Sequence, residues 1–173
     1  MSSFDKIDEQ VTLRAPVSRV WQAIASPKEF GRWFDVNLDG DFVVGKPIMG
    51  MFRNLPSEAT IMDHQERLGL PPSNVALPEN SIVFCTPERI EPEQSFIFRW
   101  IPYGIDADID PRFEPTTLVE FRLEAVPEGT LLTIVESGFD RVPAHRRERA
   151  FRMNESGWKA QAENVKKYVE KAA

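Results

Sequence analysis

The sequence contains very few residues of the types that bind metals or form covalent cross-links. Its 173 residues include one cysteine, Cys85, and two histidines, His64 and His145. A single cysteine excludes an internal disulfide, a zinc site with several cysteine ligands and a cysteine-ligated iron–sulfur cluster. The histidines, the cysteine and the acidic residues do not follow any recognised metal-binding spacing. We therefore expect that the protein uses no metal and no cofactor.

Long apolar runs and an excess of positive charge are missing as well. No stretch approaches the ~20 apolar residues that a membrane helix needs. Residues 1–10 include Asp5, Asp8 and Glu9 and no apolar run, which is unlike a signal peptide. The formal net charge of −6 argues against nucleic acid or an anionic membrane surface as a partner. We expect a cytoplasmic protein that neither inserts into a membrane nor binds nucleic acid.

Recognised catalytic motifs are also absent from the sequence. There is no G-x-S-x-G, no phosphate-binding loop, no dinucleotide-binding fingerprint and no Cys–His nucleophile pattern. This absence favours a protein that is not a dedicated enzyme. The length, with 42% hydrophobic and 28% charged residues, is that of one ordinary globular domain. Because no internal repeat or linker interrupts the chain, we expect a single domain over residues 1–173.

The clearest pattern that is present predicts a long amphipathic helix over residues 143–173. Six positions on it follow one another at intervals of three or four residues, the spacing of one helix face. They are Phe151, Asn154, Trp158, Ala162, Val165 and Val169. The remaining positions are mostly charged or polar, so we expect the helix to lie with this one face against another element.

Most of the preceding chain reads as β-strand. Residues 118–125 alternate cleanly between apolar and charged side chains, as a half-buried strand does. The pattern also predicts a first strand at 11–15, two short helices after it, and a hairpin that pairs 42–44 with 48–53. Consecutive antiparallel strands followed by a helix predict an α+β fold with about six to seven strands.

Residues 55–80 break the strand pattern. The segment contains four prolines, together with a helix-compatible piece at 58–68. A stretch of this size with little regular structure is uncommon unless it is functional or forms a lid. We expect the mouth of any binding site to lie beside this segment, near the start of the long helix.

Three stretches of the sequence resemble a known family in the expected order. They are LRAPVSRVWQAIASPKEFGRWF near the start, SFIFRWIP in the middle and TLLTIVESGFDRVPAHRRERAFRMNESGWKAQAENVKKYVE at the end. Together they resemble the family named for the activator of the Hsp90 ATPase, within the Bet v 1-like, START-related helix-grip superfamily. The resemblance implies a curved antiparallel sheet wrapped around the C-terminal helix, with two short helices after the first strand.

The resemblance also implies an apolar cavity between sheet and helix, because one helix cannot fill the concave face of such a sheet. The cavity is either plugged by large side chains or holds a small hydrophobic or amphipathic ligand. We expect its walls to be formed by Trp33, Phe52, Phe84, Phe98, Trp100, Phe121, Phe151, Asn154, Trp158 and Ala162.

Two polar residues are candidates for chemistry in that cavity. Asn154 is the one polar residue on the apolar helix face; it either fixes a ligand or satisfies a strand carbonyl or a buried water. Glu136 ends the last strand, whose facing is ambiguous in the sequence. If it points inward, Glu136 is a weak candidate for a general acid or base; otherwise it forms a structural ion pair or hydrogen bond.

Two further patterns, both in the long helix, each allow two interpretations. Gly157 lies in the middle of the long helix, where glycine is costly, so we expect close packing or room for a ligand beside it. The basic residues at the start of this helix, His145, Arg146, Arg147 and Arg149, are either paired with acids or form an anion- or partner-binding patch. The acids at 106, 108 and 110 do not fit a calcium loop and predict a solvated acidic loop.

Three functions follow as hypotheses. The favoured one is a non-catalytic module that binds a small hydrophobic or amphipathic molecule between sheet and helix. The first alternative, suggested by the family name, is a protein-interaction module associated with chaperones and the stress response. The second is a cyclase- or hydrolase-like enzyme that uses the same cavity. Whether the protein is a monomer or a homodimer stays open at this point.

Overall fold

The computed structural model describes residues 5–171 and contains one antiparallel sheet of seven strands. In the order of the sheet, the strands are β1, β7, β6, β5, β4, β3 and β2, and the sheet is not closed. Their bounds are β1 (Lys6–Leu13), β2 (Val36–Asp39), β3 (Ile48–Phe52), β4 (Ile82–Glu91), β5 (Ser95–Trp100), β6 (Thr117–Val126) and β7 (Gly129–Ser137).

Four α-helices accompany the sheet within the described residues. They are α1 (Val17–Ala25), α2 (Pro27–Phe34), α3 (Glu58–Arg67) and α4 (Ala144–Lys171), with a short 3-10 turn at Phe139–Arg141 before the last of them. The α+β helix-grip fold, with two short helices after the first strand and a long C-terminal helix, is confirmed. Within residues 5–171, none of these helices combines the length and apolar character needed to cross a membrane.

The long helix packs its predicted face against the sheet. Phe151, Trp158, Ala162, Val165 and Val169 are all buried, at the spacing that the sequence predicts. Between the helix and the sheet lies one continuous core that also includes inward residues of α1 and α2. The burial of this stripe, rather than the intrinsic propensity of its residues, supplies most of the stability of a helix in a globular protein.

Local sequence signals explain the turn between α1 and α2 and the end of α2. The Ser26 hydroxyl accepts a hydrogen bond from the backbone N–H of Glu29, and Pro27 occupies the first helical position. Near the end of α2, a Cβ on Gly31 would overlap the carbonyl oxygen of Val36, so only glycine fits there. This close approach lets the chain turn directly from α2 into β2.

The predicted strand at 42–44 is wrong. The hairpin partner of β3 is instead β2, four residues long, in which Val36 lies opposite Phe52 and Asp39 lies opposite Met49. Phe42 instead turns its ring into the core, with its centroid 4.8 Å from that of Phe96. Its burial takes this stretch out of the sheet, and the chain crosses to β3 as a loop.

Residues 55–80 pack against the start of α4 and against the loop that follows β5. The helix-compatible piece at 58–68 is confirmed as α3. Its Gln65 side chain is fully buried and donates a 2.7 Å hydrogen bond to the Tyr103 hydroxyl. The guanidinium of Arg152 donates to the carbonyl oxygen of Leu68 at 2.6 Å, which ties the end of α3 to α4.

The basic start of α4 is largely paired with the acidic loop. Arg146, 1% exposed, donates to Glu114 at 2.7 Å, and Arg149 donates to Asp106 at 2.7 Å. Arg147 donates to the backbone carbonyls of Asp140 and Val142. The prediction of a solvated loop is therefore wrong for Asp106, which is only 2% exposed. Burying this carboxylate is tolerated because two guanidinium groups lie within 4 Å of it.

Candidate functional site

The most unusual side chain in the core is Glu136, near the end of β7. In the register of the sheet it lies opposite Val119 of β6 and Ile7 of β1, on the same face as Leu132 and Ile134. Successive strand residues point to opposite faces, so the carboxyl group is aimed at α4. It is 0% exposed. The side chain of Glu136, whose orientation is ambiguous in the sequence, therefore points inward.

Four side chains surround this carboxyl group. Together with Glu136 they form what we call the Glu136 cluster. Its Oε1 accepts from Nε1 of Trp100 at 2.8 Å and from Oγ1 of Thr117 at 2.7 Å. Its Oε2 accepts from Nε1 of Trp158 at 2.7 Å. Nδ2 of Asn154 lies 3.1 Å from both oxygens. The carboxyl group thus receives hydrogen bonds from β5, β6 and α4 at once.

Within the part of the chain that the structure describes, no cation compensates the charge of Glu136. All four partners are uncharged, and among residues 5–171 no salt bridge includes this carboxylate. Burial raises the pKa of Glu136 above its ordinary value, and the hydrogen bonds from Trp100, Trp158, Thr117 and Asn154 oppose that shift. The cluster can therefore hold either a proton or a negative charge in a dry environment.

Aromatic rings enclose the cluster. The indoles of Trp100 and Trp158 stack with centroids 5.4 Å apart, and the ring of Phe34 lies 6.1 Å from each of them. Phe84 lies 5.8 Å from Trp100, and Phe121 lies 5.7 Å from Trp158. With Phe98 packed on both Trp100 and Phe121, the rings fill the space deep between sheet and helix.

The predicted cavity residues occupy different parts of this region. Asn154, Trp100 and Trp158 contact Glu136 directly, while Phe84, Phe98 and Phe121 form the enclosing rings. Trp33 donates its indole N–H to the Ala23 carbonyl, and the ring of Phe151 packs on that of Phe139. That the ten predicted residues form the wall of a binding site stays a prediction. These residues are Trp33, Phe52, Phe84, Phe98, Trp100, Phe121, Phe151, Asn154, Trp158 and Ala162.

Two of the predicted cavity residues extend from the Glu136 cluster to the surface. Trp100 and Asn154 are both partly exposed, although the carboxyl group that they bind is buried. Gly157, one helical turn beyond Asn154, is exposed, and a Cβ built on it would meet no atom within 4 Å. The explanation of Gly157 by close packing is therefore wrong. Position 157 faces open solvent instead.

Replacing Gly157 with alanine is expected to raise the free energy of unfolding by about 1 kcal/mol, because alanine is the better helix former and nothing obstructs its methyl group. Urea unfolding followed by circular dichroism measures the change. The matched control is Gly31→Ala in α2, which places a methyl group against the Val36 carbonyl and is expected to destabilise the protein. A loss of stability in the Gly157 variant would contradict this account of the open space.

Sequence reasoning missed Thr117. The expected strand begins at residue 118, so Thr117 lies just outside it. The alternation of β6 nevertheless places it on the same face as Val119 and Phe121, and it is fully buried. A hydroxyl in phase with buried apolar residues is a signal that a polar partner lies opposite.

Comparisons with known proteins agree with this architecture. A protein of Mesorhizobium loti (MLL2253) is 18% identical, with a TM-score of 0.65 over 97% of this chain and 98% of that one. A protein of Chromobacterium violaceum (CV1439) is 17% identical, with a TM-score of 0.62 over 96% and 98%. The Aha1 dimer of Colwellia psychrerythraea, solved in solution, is 14% identical, with a TM-score of 0.59 over 95% and 96%. At these identities the similarity shows the fold alone.

A search of curated proteins finds no match to this chain. The family model described as activator of Hsp90 ATPase homolog 1-like protein matches residues 78–170. The matched region includes β4 to β7 and nearly all of α4, and therefore every member of the Glu136 cluster. Because the match extends over more than half of the 173 residues, the chain belongs to the family of activator of Hsp90 ATPase homolog 1-like proteins.

Proposed function

We propose that the protein binds a small amphipathic molecule at the Glu136 cluster. The observation that carries the proposal is a carboxyl group, 0% exposed, whose partners are all uncharged hydrogen-bond donors. Two of those donors, Trp100 and Asn154, are partly exposed and connect the buried group with the surface.

The energetic cost of this arrangement supports a functional role. Removing a carboxylate from water costs several kcal/mol even after the protein relaxes, and apolar residues of similar size often stabilise a core equally well or better. A core that served only to fill the fold would gain by placing leucine or methionine at position 136. Buried groups with perturbed pKa values and specific partners are concentrated at functional sites.

The packing of the rings limits where the ligand lies. Because Phe98 and Phe121 fill the deep part of the space between sheet and helix, the apolar part of the ligand would contact the partly exposed rings of Trp100 and Phe52. Its polar part would face Glu136 beside Asn154.

Nuclear magnetic resonance of the indole N–H groups tests the proposal. The probe is N-phenyl-1-naphthylamine, an uncharged apolar amine whose binding is also visible by fluorescence. We expect saturable binding with one probe per chain that shifts the indole signals of Trp100 and Trp158, which are assigned by Trp→Phe variants. Trp21 on α1 serves as the internal control, because within residues 5–171 it is not among the hydrogen-bond partners of Glu136.

Two results would contradict the proposal. One is the absence of saturable binding at probe concentrations up to its solubility limit. The other is binding that moves the Trp21 signal while Trp100 and Trp158 stay unchanged, since the probe would then occupy a different surface.

A further inference from the structure

We infer that the natural ligand of the Glu136 cluster carries a protonated amine attached to an apolar body. The inference rests on the proposed function, and it adds the chemical class of the ligand. It is argued from the hydrogen-bonding capacity of the cluster, from the position of Asn154 and from the absence of a compensating charge.

The carboxyl group of Glu136 is the acceptor at the centre of the cluster, and it already receives hydrogen bonds from all four partners. The indole N–H groups of Trp100 and Trp158 are donor-only and already point at Glu136. Thr117, the one partner whose hydroxyl can also accept, is fully buried beneath them and donates to the same carboxyl group. A ligand group that bonds with this carboxyl group must therefore be a donor, and it has to take the place of one of the present donors.

Asn154 marks the place where such a donor would sit. Its Nδ2 lies 3.1 Å from Oε1 and 3.1 Å from Oε2, so one nitrogen is shared between both oxygens. The bonds from Trp100, Thr117 and Trp158 are shorter, at 2.7–2.8 Å. Asn154 is also partly exposed, whereas Thr117 and Trp158 are buried. Its amide is consequently the partner that an amine nitrogen can displace at least cost.

A cation gains more in this position than an uncharged donor does. The five hydrogen bonds now made to Glu136 all come from neutral groups, and a charge-assisted bond to a carboxylate is roughly twice as strong as a neutral one. An anionic head group would meet the carboxylate and be repelled by it.

Three detergents with the same eight-carbon chain separate the contribution of charge from that of the apolar body. Octylammonium, octyl glucoside and octyl sulfate are titrated below their micelle concentrations at pH 7, and binding is followed through the indole signals of Trp100 and Trp158. We expect octylammonium to bind at least tenfold more tightly than octyl glucoside, and octyl sulfate to bind most weakly.

Substitution of the carboxylate assigns the preference to Glu136. In Glu136→Gln, the ratio between octylammonium and octyl glucoside should fall to within about twofold of one. Glu120→Gln removes the same charge from a partly exposed position on β6 whose ion pair, among the described residues, is with Arg122. This matched control is expected to keep the preference for octylammonium.

A second variant keeps the test valid if Glu136→Gln fails to fold. Asn154→Ala removes the amide that competes with the amine, so it should tighten octylammonium binding severalfold and change octyl glucoside binding little. Equal affinity for octylammonium and octyl glucoside, or a preference that survives in Glu136→Gln, would overturn the inference while the proposed function stands. If none of the octyl probes nor N-phenyl-1-naphthylamine shifts Trp100 or Trp158, the proposed function itself fails.

Discussion

Replacing Arg146 with methionine is expected to lower the free energy of unfolding by about 3–5 kcal/mol. The Arg146 side chain is 1% exposed and donates to Glu114 at 2.7 Å and to the Pro102 carbonyl at 2.9 Å. It also lies 3.6 Å from the buried carboxylate of Asp106. Methionine has a similar length but no charge, so the variant leaves Glu114 buried without its cation.

Chemical denaturation of the wild type and the variant measures this loss. Arg141→Met provides the matched control, because Arg141 is exposed and forms no ion pair among the described residues. The control should change stability by less than about 0.5 kcal/mol. A loss below about 1 kcal/mol for Arg146→Met would mean that the Arg146–Glu114 pair contributes no more than an exposed salt bridge.

The stability difference between the wild type and a Glu136→Gln variant is expected to depend strongly on pH. Burial raises the pKa of Glu136 above its ordinary value of 4.5. The folded protein therefore keeps the proton to a higher pH than the unfolded chain does. The resulting contribution to stability is fully present below pH 4.5 and is lost as the pH rises through the folded-state pKa.

Glutamine does not titrate, so the difference between the two proteins isolates Glu136. We expect the wild type to lose stability relative to the variant as the pH rises above 4.5, by at most about 1.4 kcal/mol per pH unit. Urea unfolding in a series of buffers from pH 4 to pH 8 measures the difference. Asn164→Ala, an exposed and non-ionisable substitution on α4, should instead show a difference that is constant with pH.

A constant difference between the wild type and Glu136→Gln would contradict a raised pKa. A difference that changes in the opposite direction would mean that the hydrogen bonds from Trp100, Trp158, Thr117 and Asn154 outweigh the desolvation. In that case the cluster would hold a stable negative charge in the unbound protein.

The elements with local periodicity were predictable from the sequence. The face of α4 from Phe151 to Val169 and the alternation of β6 around Val119 and Phe121 each need only the spacing of neighbouring residues. On α4, five of the six predicted positions are buried, and the sixth, Asn154, is partly exposed. The family resemblance then supplied what periodicity cannot give, the placement of the helix across a curved sheet.

The site was less predictable because it depends on contacts between distant parts of the chain. Leu131 and Val135 made both faces of β7 apolar, so alternation could not tell which way Glu136 points. The partners of Glu136 lie 18 to 36 residues away from it in the sequence. Phe42 was misassigned for a related reason, since its ring packs on residues of other elements rather than on a neighbouring strand.

The two strands at the open edges of the sheet differ in how they resist aggregation. An unpaired edge offers free backbone groups to a strand of another molecule, and proteins discourage this with short edge strands and with charge. At one edge, β2 has four residues and ends on the exposed Asp39. At the other edge, β1 is eight residues long, but it carries the exposed charges of Lys6 and Asp8. The open sheet is thereby protected by shortness on one side and by charge on the other.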